Sequence, residues 1–182
     1  MTVRVIGVVG PSGAGKDTVM RALAAARPEM VLVKRVITRA PDEGGEDYTA
    51  VGSEAFERMV AEGAFALSWG AHGLRYGVPR GSVIGRPKGE MALVNLSRSV
   101  LDDAREQLDG FRVLSLTARP ETLAVRLVKR GRESHSEITS RLARADHNRP
   151  VGADVMDVSN ERSVQETVSA VLSALYPVRA KR

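Results

Sequence analysis

Apolar runs alternate with segments of mixed polarity along the chain, and their spacing predicts a strand-helix repeat. Residues 3–10 form a nearly unbroken β-branched run, which is typical of a parallel strand buried on both faces. Residues 16–27 place apolar side chains at helical spacing, and Pro28 ends this predicted helix. The glycine-rich segment between them therefore joins a buried strand to a helix.

The same alternation continues to the end of the chain. Further strands are predicted at residues 30–36, 91–96, 111–117 and 154–160. Helices are predicted at residues 99–108, at residues 120–130 with proline in the first turn, and after residue 160. Strands that alternate with helices predict an α/β fold in which a central parallel sheet is covered on both sides.

Two segments interrupt this repeat. Residues 33–80 contain a loop rich in glycine and acidic residues, a short helix near residues 53–62 and a predicted hairpin around His72 and Gly73. Residues 130–149 are strongly charged and predicted to be helical. We expect one domain with an insert at 33–80 and a lid at 130–149, both closing over ligands beyond the carboxyl ends of the strands. The core then comprises residues 1–32, 81–129 and 150–182.

Composition narrows the class of protein. A chain of 182 residues suits a single domain with a hydrophobic core. The absence of cysteine excludes disulfides, cysteine-ligated zinc and thiol nucleophiles, and it suits a reducing compartment, so a cytoplasmic location is expected. No segment approaches the roughly 20 apolar residues of a spanning helix, so no membrane partner is expected.

The net charge of +5 indicates an anionic partner. Only 4% of the residues are aromatic and the arginines are spread along the chain, which favours a phosphorylated small molecule over nucleic acid. A nucleic-acid binder remains an alternative that rests on charge alone. The oligomeric state stays open between monomer and homodimer.

The segment GPSGAGK matches the phosphate-binding pattern G-x-x-x-x-G-K between a predicted strand and a predicted helix. Glycines allow backbone N–H groups to converge on phosphate oxygens, the helix N-terminus adds positive charge, and Lys16 can reach the outer phosphates. The predicted ATP-binding residues of this loop are Gly10, Pro11, Ser12, Gly13, Ala14, Gly15, Lys16, Asp17 and Thr18.

Asp17 stands where this pattern usually has Ser or Thr to contact Mg²⁺. A carboxylate is a good hard-oxygen ligand for Mg²⁺. Many such enzymes hold the metal with an acidic residue at the end of a later strand, where this chain has Asn95. Our hypothesis is that Asp17 supplies the carboxylate that position 95 lacks. The alternative is that Asp17 only caps or charges the start of the helix.

The segments VITRAPDEGGEDY and LSWGAHGLRYGVP, together with the loop, resemble the guanylate-kinase-like group. The positions that match its acceptor-binding insert are Thr38, Arg39, Tyr48, Trp69, Gly73, Tyr76 and Gly77. Asp42, Ser68 and Val78 replace residues that the group uses to contact GMP. Loss of the base-reading glutamate at Ser68 is expected to weaken guanine selection greatly.

Further motifs narrow the resemblance. With VN-x-SR at residues 94–98 and RGRE at residues 130–133, the sequence resembles the ribose 1,5-bisphosphate phosphokinases, guanylate-kinase relatives of phosphonate breakdown that form 5-phosphoribosyl 1-diphosphate. Leu96 departs from the glycine that is usual in that family. The resemblance implies a three-layer P-loop kinase fold, with ATP and Mg²⁺ as cofactors.

A sugar bisphosphate has no base to read but carries two phosphates, which arginines bind in bidentate fashion. The expected substrate-binding residues are Arg35, Arg39, Tyr48, Ser68, Arg75, Tyr76, Asn95 and Arg98. The resemblance also implies that Arg130, Arg132 and Arg141 swing over the triphosphate from the lid.

The expected catalytic residues are Lys16, Asp17, Arg130 and Arg141, and Arg132 is assigned to ATP binding. The resemblance implies that the acceptor is a phosphate oxygen, which is already anionic, so no general base is expected and catalysis would depend on alignment and charge neutralisation. Two alternatives remain: a nucleoside monophosphate kinase such as guanylate kinase, and a catalytically silent guanylate-kinase-like interaction module. The intact loop with Lys16 argues against the silent module.

Overall fold

The computed structural model describes residues 4–40, 46–131, 139 and 149–176, with the backbone alone at Arg130. The strands are β1 Val5–Val9, β2 Met30–Leu32, β3 Val36–Ile37, β4 Thr49–Ala50, β5 Phe65–Ala71, β6 Leu74–Pro79, β7 Met91–Asn95, β8 Phe111–Thr117 and β9 Val155–Ser159. The helices are α1 Lys16–Ala26, α2 Ser53–Ala61, α3 Leu101–Gln107, α4 Pro120–Arg130 and α5 Val164–Leu175.

A five-stranded parallel sheet in the order β2-β7-β1-β8-β9 forms the centre of the fold. All five residues of β1 are buried, as its unbroken apolar run predicts. On one face Ile6 and Val8 pack in a core with residues of α1, α4 and α5, and on the other Val5 and Val9 pack with residues of α3 and of the second sheet. The predicted α/β fold with a covered parallel sheet is confirmed.

The predicted strand at 30–36 is wrong as a single element. β2 ends at Leu32, and β3 begins at Val36 in a different sheet. The main-chain N–H of Val33 still bonds to Leu93 of the main sheet, whereas Arg35 already accepts a bond from Thr49 of the second sheet. The apolar run therefore serves two sheets in succession, and residues 33–35 lead from one to the other.

The second sheet has the order β4-β3-β6-β5 and is built from residues 36–79. Its antiparallel hairpin of β5 and β6 turns at His72 and Gly73, whose φ angles are 53° and 73°. Positive φ at both central residues is the requirement of a two-residue type I′ turn, so the predicted hairpin is confirmed. Helix α2 matches the predicted helix near 53–62, and its Phe56 stacks on Phe65 at 4.9 Å between ring centroids.

The remaining helices follow the predictions closely. The predicted helix at 99–108 begins as a 3₁₀ turn at Arg98–Val100 and continues as α3. Proline opens α4 as predicted, and Gly131, with φ 66°, ends it. The predicted lid falls almost entirely outside the described residues, so its conformation stays a prediction. Within the described ranges, no helix is long and apolar enough to cross a membrane.

Candidate active site

The segment from Gly10 to Lys16 forms a tight loop between the carboxyl end of β1 and the start of α1. Gly10, Gly13 and Gly15 have φ angles of 154°, 87° and 84°, which side chains rarely tolerate. A Cβ on Gly15 would lie 2.6 Å from Nδ2 of Asn160, and one on Gly10 would collide with the carbonyl oxygen of Leu116. The loop is therefore packed closely from behind, and its shape fits the cradle expected for phosphates.

Lys16 lies folded back over this loop. Its ammonium donates hydrogen bonds to the carbonyl oxygens of Gly10 at 2.9 Å and Pro11 at 3.3 Å. Burial lowers the pKa of Lys16 from 10.5 to about 8, although the neighbouring carboxylate of Asp17 acts in the opposite direction. The ammonium is thus held at the mouth of the loop, where a phosphate oxygen would offer it a stronger partner than a carbonyl.

This pKa gives an expected pH dependence. Lys16 loses its proton as the pH rises through about 8, and the neutral amine no longer attracts an anionic phosphate. Because kcat/KM reports the ionisation of the free enzyme, kcat/KM for ATP should fall about tenfold per pH unit above that value. Steady-state rates between roughly pH 6 and 10 measure the profile. Lys16→Arg should remove the alkaline decline, since a guanidinium stays protonated; a wild-type profile flat to pH 10 would contradict the assignment.

The side chains of Asp17 and Asn95 meet beside the loop. Asn95 ends β7, next to β1, and its amide Nδ2 donates to Oδ1 of Asp17 at 3.4 Å. Carboxylate and amide oxygens are ligands that suit Mg²⁺. Among the described residues no group of three His, Cys, Asp or Glu side chains forms a complete metal cage. The donor set therefore fits a Mg²⁺ ion that takes its other ligands from water and phosphate.

A cleft of about 370 Å³ lies between the loop and the second sheet. Among the described residues, four cationic side chains line it: Lys16, Arg35, Arg39 and Arg98. None of the described residues that line it is an aspartate or glutamate. A cleft with this charge is suited to a ligand with several anionic groups next to whatever the loop holds.

The inner wall of the cleft is aromatic. Trp69 and Tyr76, paired across β5 and β6, stack with ring centroids 5.4 Å apart and planes inclined by 10°. The guanidinium carbon of Arg35 lies 5.0 Å from the Tyr76 ring centroid and 5.7 Å from that of Trp69. Arg35 is also paired with Glu46, a residue to which the sequence assigned no role. Arg35 and Tyr76 both line the cleft. This placement is consistent with their predicted role in substrate binding, which stays a prediction.

Arg39 and Tyr48 form a second aromatic contact at the edge of the cleft. The Arg39 guanidinium carbon lies 5.6 Å from the Tyr48 ring centroid, and the Tyr48 hydroxyl donates to the carbonyl of Ala40. Arg39 lines the cleft, whereas Tyr48 packs against the buried core. Tyr48 therefore supports Arg39 in this structure and is not itself part of the cleft wall.

The chain leaving β7 completes the wall. Leu96, Ser97 and Arg98 follow Asn95 along the cleft. Leu96, the departure from the family's usual glycine, is buried, and its Cδ1 would lie 2.8 Å from a Cβ placed on Gly7. The larger side chain at position 96 is thus accommodated against a glycine of β1.

Besides Tyr48, two predicted substrate-binding residues are not brought to the cleft. Ser68 lies on the exposed face of β5, while the next residue, Trp69, points to the cleft. Arg75 pairs with Glu57 of α2 at 2.8 Å between Nη1 and Oε1. Side chains alternate between the faces of a strand, so the neighbours of Trp69 and Tyr76 face the other way. Neither side chain lines the cleft in this structure, and their role in substrate binding stays a prediction.

The catalytic and ATP-binding assignments in the lid lie outside the described residues. This applies to Arg132, Arg141 and the side chain of Arg130. Their roles stay predictions that follow from the resemblance.

Asn160 is a buried residue of the site, to which the sequence pattern gives no role beyond the end of a predicted strand. Its Nδ2 donates to the carbonyl oxygen of Ala14 in the loop at 2.8 Å, and its Oδ1 accepts from the Thr167 hydroxyl at 2.8 Å. Arg126 of α4 donates to the Asn160 carbonyl at 2.8 Å. A polar residue just after the last strand of a parallel sheet, at the edge where ligands bind, was the available signal.

Comparison with solved structures places the fold. A guanylate kinase from Anaplasma phagocytophilum superposes with a TM-score of 0.63 at 22% identity, covering 99% of this chain and 87% of that one. A gluconokinase from Sinorhizobium meliloti 1021 superposes with a TM-score of 0.55 at 18% identity, covering 95% and 91%. The chain therefore has the guanylate-kinase-like P-loop α/β fold that the resemblance implied.

Curated relatives share much more sequence. A protein of Ruegeria sp. (strain TM1040) named ribose 1,5-bisphosphate phosphokinase PhnN is 49% identical over 98% of this chain and 93% of its own length. Proteins of the same name from Acidiphilium cryptum and Agrobacterium fabrum are 45% and 40% identical over 97% and 92% of this chain. No family model matches the chain. At this identity and coverage, the chain belongs to the ribose 1,5-bisphosphate phosphokinase family.

Proposed function

We propose that the protein transfers the γ-phosphoryl group of ATP to the 1-phosphate of ribose 1,5-bisphosphate, giving ADP and 5-phosphoribosyl 1-diphosphate. One observation carries the proposal: Lys16 of the phosphate loop shares a cleft with Arg35, Arg39 and Arg98, and no aspartate or glutamate in the described part of the chain lines it. Four cations around one cleft suit two highly anionic substrates side by side. Family membership supports the same reaction.

The chain's own residues divide the work of binding. The backbone of the loop and Lys16 hold the phosphates of ATP. Arg39 and Arg98 hold phosphate groups of the acceptor, since a guanidinium donates two parallel hydrogen bonds to a phosphate. Asp17 and Asn95 would hold Mg²⁺, whose contribution is to neutralise charge on the phosphates.

The transfer requires little covalent chemistry from the protein. A 1-phosphate oxygen of the acceptor forms the new bond to the γ-phosphorus, and the bond from that phosphorus to the β-γ bridging oxygen breaks, so its electron pair leaves with ADP. The attacking oxygen is already anionic near neutral pH, so no side chain has to remove a proton. Lys16 and the cleft arginines contribute by aligning the two phosphates and stabilising the charge that spreads over the transferred group.

An acceptor screen tests the proposal. Purified protein is incubated with ATP, Mg²⁺ and either ribose 1,5-bisphosphate, ribose 5-phosphate, GMP or AMP, and the phosphorylated products are identified by mass. We expect 5-phosphoribosyl 1-diphosphate from ribose 1,5-bisphosphate and at least about a hundredfold lower kcat/KM with GMP. ADP formed readily with GMP and not with the sugar bisphosphate would establish the nucleoside monophosphate kinase instead.

Replacing Asp17 with asparagine should raise the requirement for Mg²⁺. The amide keeps the size of the side chain and removes the negative charge next to Asn95. The Mg²⁺ concentration for half-maximal rate should rise about tenfold, the lower end of the loss seen when groups around a metal are changed. Asp103→Asn, on the exposed side of α3, is the matched control. An unchanged Mg²⁺ dependence in D17N would remove Asp17 from the metal site.

A further inference from the structure

We propose that Glu46 is a positioning residue that fixes Arg35 across the Trp69 and Tyr76 rings, so that this wall of the cleft presents a guanidinium to an acceptor phosphate and is closed to a planar base. The inference deepens the proposed function and rests on it for the identity of the acceptor. The geometry that supports it comes from three contacts.

The first contact is the ion pair between Arg35 and Glu46. Arg35 Nε donates to Oε1 of Glu46 at 2.8 Å, and Arg35 Nη2 donates to Oε2 of the same carboxylate. The two side chains are only 8% and 17% exposed. Two parallel hydrogen bonds fix the plane of a guanidinium as well as its position. Because a guanidinium has five N–H donors, three remain for another anion.

The second and third contacts place this guanidinium against the aromatic pair. Trp69 and Tyr76 both line the cleft, and their nearly parallel rings would offer a stacking surface to a flat base. The Arg35 guanidinium carbon lies within 6 Å of both ring centroids. A guanidinium at this distance makes favourable cation-π contacts, so it occupies the surface instead of a base.

The positive charge of the cleft explains why Arg35 needs a carboxylate partner at position 46. Arg35 lies in the same cleft as Lys16, Arg39 and Arg98, and a buried cation among other cations is unfavourable without a partner. Both charges of the pair act on Lys16: Arg35 lowers the pKa of Lys16, and Glu46 raises it. Glu46 therefore compensates Arg35 while lying outside the cleft wall itself, on the side of the neighbouring cavity lined by Asp17 and Asn95.

The first experiment separates positioning from general damage. E46Q keeps the side-chain volume and removes the charge that holds Arg35. We expect KM for ribose 1,5-bisphosphate to rise about tenfold, with kcat within about threefold and KM for ATP unchanged. E57Q is the matched control. It removes the carboxylate partner of another arginine, Arg75, whose side chain does not line the cleft. Equal losses in both variants, or a parallel rise in KM for ATP, would overturn the positioning role.

The second experiment measures base exclusion without the reaction. Trp69 is the only tryptophan of the chain, so its fluorescence reports on the wall directly. GMP should leave the wild-type emission unchanged and quench that of the double variant Arg35→Ser, Glu46→Ala. Ribose 5-phosphate, a phosphate without a base, should quench neither protein. Quenching of the wild type by GMP, or of neither protein, would overturn the exclusion.

The outcome for the proposed function and the outcome for the aromatic wall can be distinguished. If the wild type does not phosphorylate ribose 1,5-bisphosphate, the proposed function is wrong, and the fluorescence titration still decides whether Arg35 and Glu46 close the wall. Far-ultraviolet circular dichroism establishes that each variant is folded. E46Q provides the fluorescence test in place of the double variant if that variant does not fold, because loss of the fixed guanidinium should by itself permit quenching by GMP.

Discussion

Replacing Lys16 with methionine should lower kcat for phosphoryl transfer about a thousandfold, the upper range for removing one group that stabilises transition-state charge. Methionine keeps the length and apolar body of the side chain but has no ammonium to follow the transferred group. The loss should be measured as the rate of ADP formation with saturating ATP and sugar bisphosphate. KM for the sugar bisphosphate should change far less than kcat, because Lys16 acts on the transferred phosphate.

The same substitution should leave the protein folded. Below a pH of about 8 Lys16 is charged in both the folded and the unfolded state, so the cost of burying its charge is fully present; that cost disappears as the pH rises from about 8 towards 10.5. Removing the charge at neutral pH removes this cost and offsets the two lost hydrogen bonds. Lys88→Met, at an exposed position, is the control. Activity of K16M within tenfold of wild type would exclude Lys16 from catalysis.

Replacing Asn160 with aspartate should damage both stability and ATP use. A carboxylate cannot donate to the Ala14 carbonyl, so two oxygens would face each other at the back of the loop, and a charge would be buried. We expect the free energy of unfolding to fall by roughly 3 kcal/mol and the melting temperature by about 6 to 12 °C. Displacement of the loop should lower kcat/KM for ATP about a hundredfold.

Ser159→Asp is the control for this second prediction. It introduces the same carboxylate one residue earlier, on the exposed face of β9, where no loop contact is lost. Thermal unfolding and steady-state kinetics of the two variants should therefore differ clearly. An N160D protein as stable and active as S159D would show that the contact with Ala14 does not support the loop.

The elements of the main sheet were predictable because their burial requires a recognisable pattern of apolar residues in the sequence. A strand covered on both faces has to be apolar throughout, as β1 is, and a phosphate loop needs glycines wherever the backbone turns with positive φ. The hairpin turn was equally predictable, since His72 and Gly73 tolerate the left-handed region that a two-residue turn requires. These features depend on residues close together in the chain.

The sequence did not determine which face of a strand a side chain lies on, or which distant residue it contacts. The placement of Ser68 and Arg75 away from the cleft follows from the pleat of the hairpin, which motif spacing alone did not supply. The Arg35 pair with Glu46 joins residues 11 positions apart in the sequence, and the contact of Asn160 with Ala14 joins residues 146 positions apart. The strand at 30–36 was misassigned because an apolar run does not say how many sheets it serves.

The close packing behind the phosphate loop has a consequence for synthesis of the protein. The loop is made within the first 16 residues, but the groups that press on it are Leu116 of β8 and Asn160, just after β9, which a ribosome synthesises much later. Contacts across such sequence separations form late in folding. A nascent chain should therefore acquire affinity for ATP only once nearly all of it has emerged, which makes nucleotide binding a marker of completed folding.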